Sequence, residues 1–205
     1  LADGLLALYA ATYEERYFSV ARQLADIVLE HFGAEDGGFF DTADDAEALI
    51  TRPRTLQDNA VPSGGAMITS VLLRLAALTG EGRYRAAAES ALAPMLAIAT
   101  KHPTGFGQWL QAYLLSEAAI VEVAIVGQPG AGDTRALQAV THDGFHPNRV
   151  VAGSGTPSSS VVPLLRDRVA IDGVATAYVC RGFACDRPTT DPSELRRQLE
   201  ATAAA

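Results

Sequence analysis

The stretch Leu5-Leu-Ala-Leu8-Tyr-Ala10-Ala-Thr12-Tyr-Glu14-Glu-Arg16-Tyr17 returns, without a gap, as Leu72-Leu-Arg-Leu75-Ala-Ala77-Leu-Thr79-Gly-Glu81-Gly-Arg83-Tyr84. Leu, Leu, Leu, Ala, Thr, Glu, Arg and Tyr recur in register, and beyond them Ala21 answers Ala88 and Leu29 answers Leu96. Each copy reads as a helix, a short polar break, and a second helix that opens on an Arg-Tyr pair; Gly80 to Gly82 marks the break in the second copy. A helical hairpin of this kind cannot bury its apolar face alone and stacks on neighbours.

Outward from the repeat, apolar spacing predicts helices over about 3–12, 15–31, 64–79, 82–99 and 107–118, with alanine-rich interiors that favour helix and close approach. Residues 32–63 carry Gly33, Gly37, Gly38, Pro53 and Pro62 and few helix signals. A loop of that length needs a function or some structure of its own. Gly37-Gly-Phe-Phe-Asp41 and Leu49-Ile-Thr-Arg52 predict a short strand pair across a turn at Thr42 to Asp45. The pattern then changes. Val121–Val126, Arg149–Ala152 and Thr176–Cys180 read as strands, Asp133–Val140 as a short helix with Asp133 as N-cap. Asp191-Pro-Ser-Glu194 carries an N-cap, a first-turn proline and a capping box for a last helix. The expectation is mainly α: helical hairpins over 1–119, then a small α/β lobe over 120–205.

With 24 acidic against 16 basic residues, net charge -8 and pI near 4.9, the surface repels phosphate backbones, so no nucleic acid partner is expected. No apolar run approaches the roughly 20 residues of a membrane span and the first residues do not read as a signal peptide, so a soluble, cytoplasmic protein away from membranes is expected. The chain opens inside an amphipathic helix without an initiator Met, which predicts a fragment of a longer protein. A fragment leaves apolar flanks uncovered, and a homo-oligomer through the faces of Leu5, Leu8 and Leu72 or Leu75 is the corresponding expectation.

Gly37-Gly-Phe-Phe-Asp-Thr-Ala-Asp-Asp45, Arg52-Pro-Arg54, Asp58-Asn-Ala-Val-Pro-Ser-Gly64 and the terminal Ala177-Tyr-Val-Cys-Arg-Gly-Phe-Ala-Cys185-Asp-Arg-Pro188-Thr-Thr-Asp191 occur in that order. Together they resemble the C-terminal part of the thioredoxin-domain-containing proteins related to spermatogenesis-associated protein 20. The resemblance covers essentially the whole chain. It implies a partial (α/α)6 toroid, similar to those of N-acylglucosamine 2-epimerases and six-hairpin glycosidases. It also implies, as a partner, an N-terminal thioredoxin-like domain of the same full-length protein. The family usually has Asn after Pro-Ser-Gly, where this chain has Gly65.

In such a toroid the loops before the helix starts form a rim around a cavity. Asp58 there is a candidate acid/base or hydroxyl-binding group, Arg54 a contact for a carboxylate or phosphate, and Asn59 and Ser63 secondary ligand groups. Asp58 and Ser63 also suit turn and helix capping, and Arg54 an ion pair. Asp44 could oppose Asp58 as the second carboxylate of a glycosidase, or cap a turn. His102, before Pro103, is a candidate acid/base on the same rim, and Trp109 a platform for a small sugar ligand or a core aromatic. His31, His102, His142 and His146 are scattered, and Gly144 and Pro147 spoil a helical pair, so no metal is expected. Cys180 and Cys185 lack the C-x-x-C spacing of a dithiol helix and the partners of a zinc site; Cys180 reads as a small buried hydrophobe, with a redox or metal role as the alternative, and no cofactor is expected. Gly127-Gln-Pro-Gly130 lacks the spacing of a phosphate loop. The three functions in play are a scaffold toroid accompanying a thioredoxin-like domain, a carbohydrate-active toroid (glycoside hydrolase or sugar epimerase), and a thiol redox protein acting through that other domain.

Overall fold

A computed structural model of the chain describes residues 1–47 and 50–203. Among them are eight α-helices: α1 (Ala2–Thr12), α2 (Glu15–His31), α3 (Gly64–Thr79), α4 (Gly82–Leu92), α5 (Leu96–Lys101), α6 (Gly107–Glu117), α7 (Gly132–His142) and α8 (Pro192–Ala203). Four strands, β1 (Val121–Val126), β2 (Arg149–Ser154), β3 (Thr176–Arg181) and β4 (Ala184–Cys185), make one sheet in the order β2-β1-β3-β4. The protein is mainly helical with a small α/β part, and no described helix is long and apolar enough to cross a membrane.

The repeat is physical as well as textual. Tyr13 and Gly80 hold the same place in the two copies, and both take the left-handed backbone, φ 61 and φ 73. A left-handed residue ends one helix and re-aims the chain into the next, which glycine does without strain and tyrosine does not. After the break each copy forms the same ion pair, Arg16–Glu14 at 2.6 Å and Arg83–Glu81 at 2.8 Å. Each also lays that guanidinium over the following tyrosine ring, at 4.8 Å for Tyr17 and 4.3 Å for Tyr84.

The chain folds into two compact units, neither continuous in sequence. The first takes Leu1–Leu5, Val20–Ala76 and Glu81–Ala118. Here the fully buried Ala21 and Ala25 of α2 and Ala88 and Ala91 of α4 carry no bulk, which lets helix backbones approach. Polar side chains join α2 to α4: Arg22 pairs with Glu81 at 2.7 Å, the Tyr84 hydroxyl donates to Asp26 at 2.7 Å, and Arg83 pairs with Asp26 at 2.8 Å. Burial, with the Asp26 carboxylate second, pushes the Tyr84 phenol up to about 12. Leu72, Leu73 and Leu75 are core residues.

The second unit takes Leu6–Ser19, Ala77–Gly80 and the chain from Ala119 on. β1 and β2 are parallel across α7, whereas β1–β3 and β3–β4 are antiparallel. Val121, Val123 and Ile125 of β1 and Ala177 and Val179 of β3 alternate onto one face, where they pack with Val151, Leu137 of α7, and Leu195 and Leu199 of α8. Tyr13 joins that core, and the Tyr9 hydroxyl accepts the Gly153 N–H at 3.2 Å and donates to its carbonyl at 3.3 Å.

Several expectations need correction. The helix foreseen over 82–99 is two helices, because Pro94 has no N–H to give the preceding turn; Met95 instead bonds back to Leu92. The strand pair over 37–41 and 49–52 is not present among the described residues. Phe39 bridges to Gly33, Asp41 N–H bonds to the Pro53 carbonyl, and Leu49 lies outside the described residues. Asp133 is not the N-cap of α7; Ala131 is, and Asp133 accepts the N–H groups of Thr134 and Ala175, both within 2.9 Å. Asp191 does cap α8 by accepting the Ser193 N–H at 2.8 Å. The capping box is not closed, however, since Glu194 turns to Arg197 and the Asp191 N–H is taken by Thr189. Leu72 and Leu75 are each 0% exposed within the single chain, so neither is available to an oligomer interface; Leu8 remains exposed.

Candidate functional site

Asp58 sits on the loop that leads into α3. Its Oδ1 accepts the Ser63 N–H and its Oδ2 the Gln108 N–H, both at 2.8 Å. These donors lie at the starts of α3 and α6, where helix N–H groups have no partner inside the helix and the aligned peptide dipoles favour a negative charge. One carboxylate thus caps two helices. The Asp58 N–H in turn bonds to the Gly105 carbonyl at 2.8 Å, in the tight turn Pro103–Gly105 that follows His102. Ser63, buried, accepts the Ala66 N–H at 3.4 Å and so caps α3 from its own first turn. Asn59 and His102 are exposed beside this junction.

Trp109 of α6 is 2% exposed, and its indole N–H donates to the Leu56 carbonyl at 2.8 Å. A Cβ added at Gly65 would lie 3.2 Å from the Trp109 ring. A side chain at this position would have to press on the indole or shift it.

Arg54 belongs to a different patch. It pairs with Asp36 at 2.5 Å and lines an open cavity of about 480 Å³ together with Gly33, Phe40 and Arg52. The Arg54 guanidinium lies directly over Gly38, so a side chain there would displace it. The Arg54 hydrogen bond holds the Asp36 carboxyl below its usual range. Arg52 donates to the carbonyls of His31 at 3.0 Å and Thr42 at 2.6 Å and stacks over Phe40 at 4.1 Å.

Asp44 pairs with His31 at 2.9 Å, a contact the sequence did not suggest. The bond to Asp44 raises the His31 pKa and the bond to His31 lowers that of Asp44. Asp45 is close enough that one ligand atom from each of the three side chains falls within 4.8 Å of the others. These could hold a divalent cation, but the group is open to solvent and is satisfied as an ion pair. The candidate residues therefore form three settings: Asp58, Ser63 and Trp109 at the α3–α6 junction with Asn59 and His102 at its edge, Arg54 with Asp36, and Asp44 with His31.

Two charged residues escaped the sequence reading. Glu122, on β1 inside an apolar run, is buried and accepts the Gly182 and Phe183 N–H groups at 3.1 and 2.8 Å. Burial raises its pKa against the pull of those two bonds. Arg168 lies against Cys180 and Cys185; Cys180 is buried as the sequence suggests, but it is joined to Cys185 in a disulfide, which the sequence reading did not foresee. The lone Glu among valines was the available signal for the first. Nothing in the sequence placed Arg168.

A mainly helical chain whose C-terminal part is a small mixed sheet matches no protein-family model. It is homologous to spermatogenesis-associated protein 20. The identity is 32% to the proteins of Rattus norvegicus and Homo sapiens and 30% to that of Mus musculus, over 202 residues and 96% of this chain. The chain spans 26% of the length of these curated relatives.

Proposed function

We propose that this chain is an architectural piece of a longer protein: the last hairpins of a helical toroid with an appended α/β lobe, accompanying an N-terminal thioredoxin-like domain in the cytoplasm. The observation that carries this reading is Asp58, the best-placed candidate acid, whose two oxygens each hold a helix N-terminus. A carboxylate whose two oxygens are each taken up by a backbone donor can turn neither toward a substrate without giving up a contact at a helix start. Homology to spermatogenesis-associated protein 20, whose name specifies no reaction, is consistent with a scaffold.

A second reading has one observation in its favour. The cavity beside Asp36 offers two guanidinium groups, Arg52 and Arg54, which suit the carboxylate of a sugar acid in a carbohydrate-active full-length protein. Calorimetry of the full-length protein against hexoses, N-acylhexosamines and sugar acids separates the two. The scaffold reading expects no heat of binding from any of them. Saturable binding of a sugar acid that disappears in Arg54→Ala replaces it with the second.

A further inference from the structure

Glu122, Cys180 and Cys185 stand opposite one another across β1, β3 and β4, so the three side chains form one row on one face of the sheet. The two cysteines are linked across the hairpin whose tip is Gly182-Phe183, both left-handed at φ 55 and 67, the backbone of a two-residue turn that matches strand twist. The sulfurs differ in access: Cys180 is fully buried and Cys185 is exposed. Arg168 reaches over both, with one guanidinium nitrogen 3.3 Å from Cys180 Sγ and 3.0 Å from Cys185 Sγ.

We propose that Cys180–Cys185 is a reversible thiol–disulfide exchange site, in which Arg168 stabilises the thiolates that form when an external dithiol opens the bond. The reaction balances as follows. A thiolate of the external dithiol attacks Cys185 Sγ, the accessible sulfur; a new S–S bond joins it to Cys185, and Cys180 leaves as a thiolate. The second thiol of the external molecule, deprotonated, then attacks its own half of the mixed disulfide and releases Cys185. The protein disulfide gains two electrons, the external dithiol becomes a disulfide, and its two protons end on Cys180 and Cys185 or in solvent. Burial of Cys180 and the neighbouring Glu122 oppose the thiolate. Against them, Glu122 is already answered by the Gly182 and Phe183 N–H groups, whereas the guanidinium bonds the sulfurs directly. A leaving thiol stabilised in this way departs faster. The site is independent of any thioredoxin-like domain and stands whether or not the architectural reading does.

The test uses the 205-residue chain in dithiothreitol buffers of graded reduced-to-oxidised ratio, without denaturant. Iodoacetamide traps the free thiols, and mass spectrometry locates them. The expected result is reversible opening of the native pair. In the reduced chain, the pH midpoint of alkylation should fall below the ordinary thiol value of about 8.5. Arg168→Gln moves that midpoint back up and slows opening by roughly tenfold, while Arg168→Lys, which keeps a charge, restores most of the rate. A pair that opens only in denaturant overturns the proposal. So does a midpoint in the unsubstituted chain at or above the ordinary value, a measurement that depends on no variant.

Discussion

At the scale of single residues, the clearest division of labour is within Asp58. Each oxygen holds one helix start, and loss of a helix cap costs typically about 1 kcal/mol. Asp58→Ala is expected to lower unfolding stability in urea by about 2 kcal/mol. Asp58→Asn, which keeps one acceptor oxygen, should lose about half of that. The His31–Asp44 pair gives a second expectation, with opposite signs on its two sides. The His31 pKa is raised, so its contribution is complete below the unfolded value near 6.5 and is lost as pH rises through the higher folded value. That of Asp44 is lowered, so its contribution exists above the unfolded value and is lost as pH falls through the folded one. Proton NMR should show the His31 imidazole titrating above 6.5 and returning toward it in Asp44→Asn.

At the scale of elements, two breaks and one contact were decided by backbone. Gly80 has φ 73, and the Phe183 ring lies 3.2 Å from where its Cβ would be. Gly80→Ala therefore adds a side chain to a left-handed residue and to a filled space, and should cost 1 kcal/mol or more, read by thermal unfolding. Its counterpart behaves oppositely to simple expectation. Tyr13→Gly relieves the strained backbone but empties a ring that is 5% exposed, so it too should destabilise, by about 3 kcal/mol. At Gly65 an Asn would press on the Trp109 ring, and overpacking of that kind costs roughly 1–3 kcal/mol. Trp109 is the single tryptophan of the chain, so its fluorescence reports Gly65→Asn directly; an unchanged spectrum and stability would mean that the indole moves freely. These elements also show what the sequence could carry. Helices α1 to α4 and α6 were legible because their leucines and alanines keep helical spacing, and β1 and β2 because their valine-rich runs end near glycine. Pro94 is the one signal of the gap between α4 and α5, and it is masked because alanine on both sides continues the helical pattern. The pairing of Cys180 with Cys185 was hidden, since a spacing of that length says nothing until a tight turn at Gly182-Phe183 sets the two strands side by side. Of the candidate site, the capping by Asp58 and Ser63 was readable from residue type and place. The Arg54–Asp36 and His31–Asp44 pairs were not, because they join a loop to partners fixed only by its folded path.

At the scale of the whole molecule, the compact units do not follow the order of the chain. Residues 6–19 belong with the sheet from 119 onward, where Tyr13 sits in the core and the Tyr9 hydroxyl exchanges two hydrogen bonds with Gly153. A fragment of residues 120–205 therefore lacks part of its own interior. It should show a broad, non-cooperative melt by circular dichroism, whereas the full chain melts sharply with a mainly helical spectrum. Addition of a peptide covering residues 1–19 in trans should sharpen the transition.

The same interleaving has a consequence during synthesis. Tyr9 and Tyr13 are synthesised well before Val179 and Leu195, with which Tyr13 is buried. At 5–20 residues per second the delay is roughly 10–40 s. For that time the two aromatic rings wait without the sheet that will cover them, so the nascent chain offers them to whatever binds exposed apolar segments, and the yield of folded protein depends on that early protection.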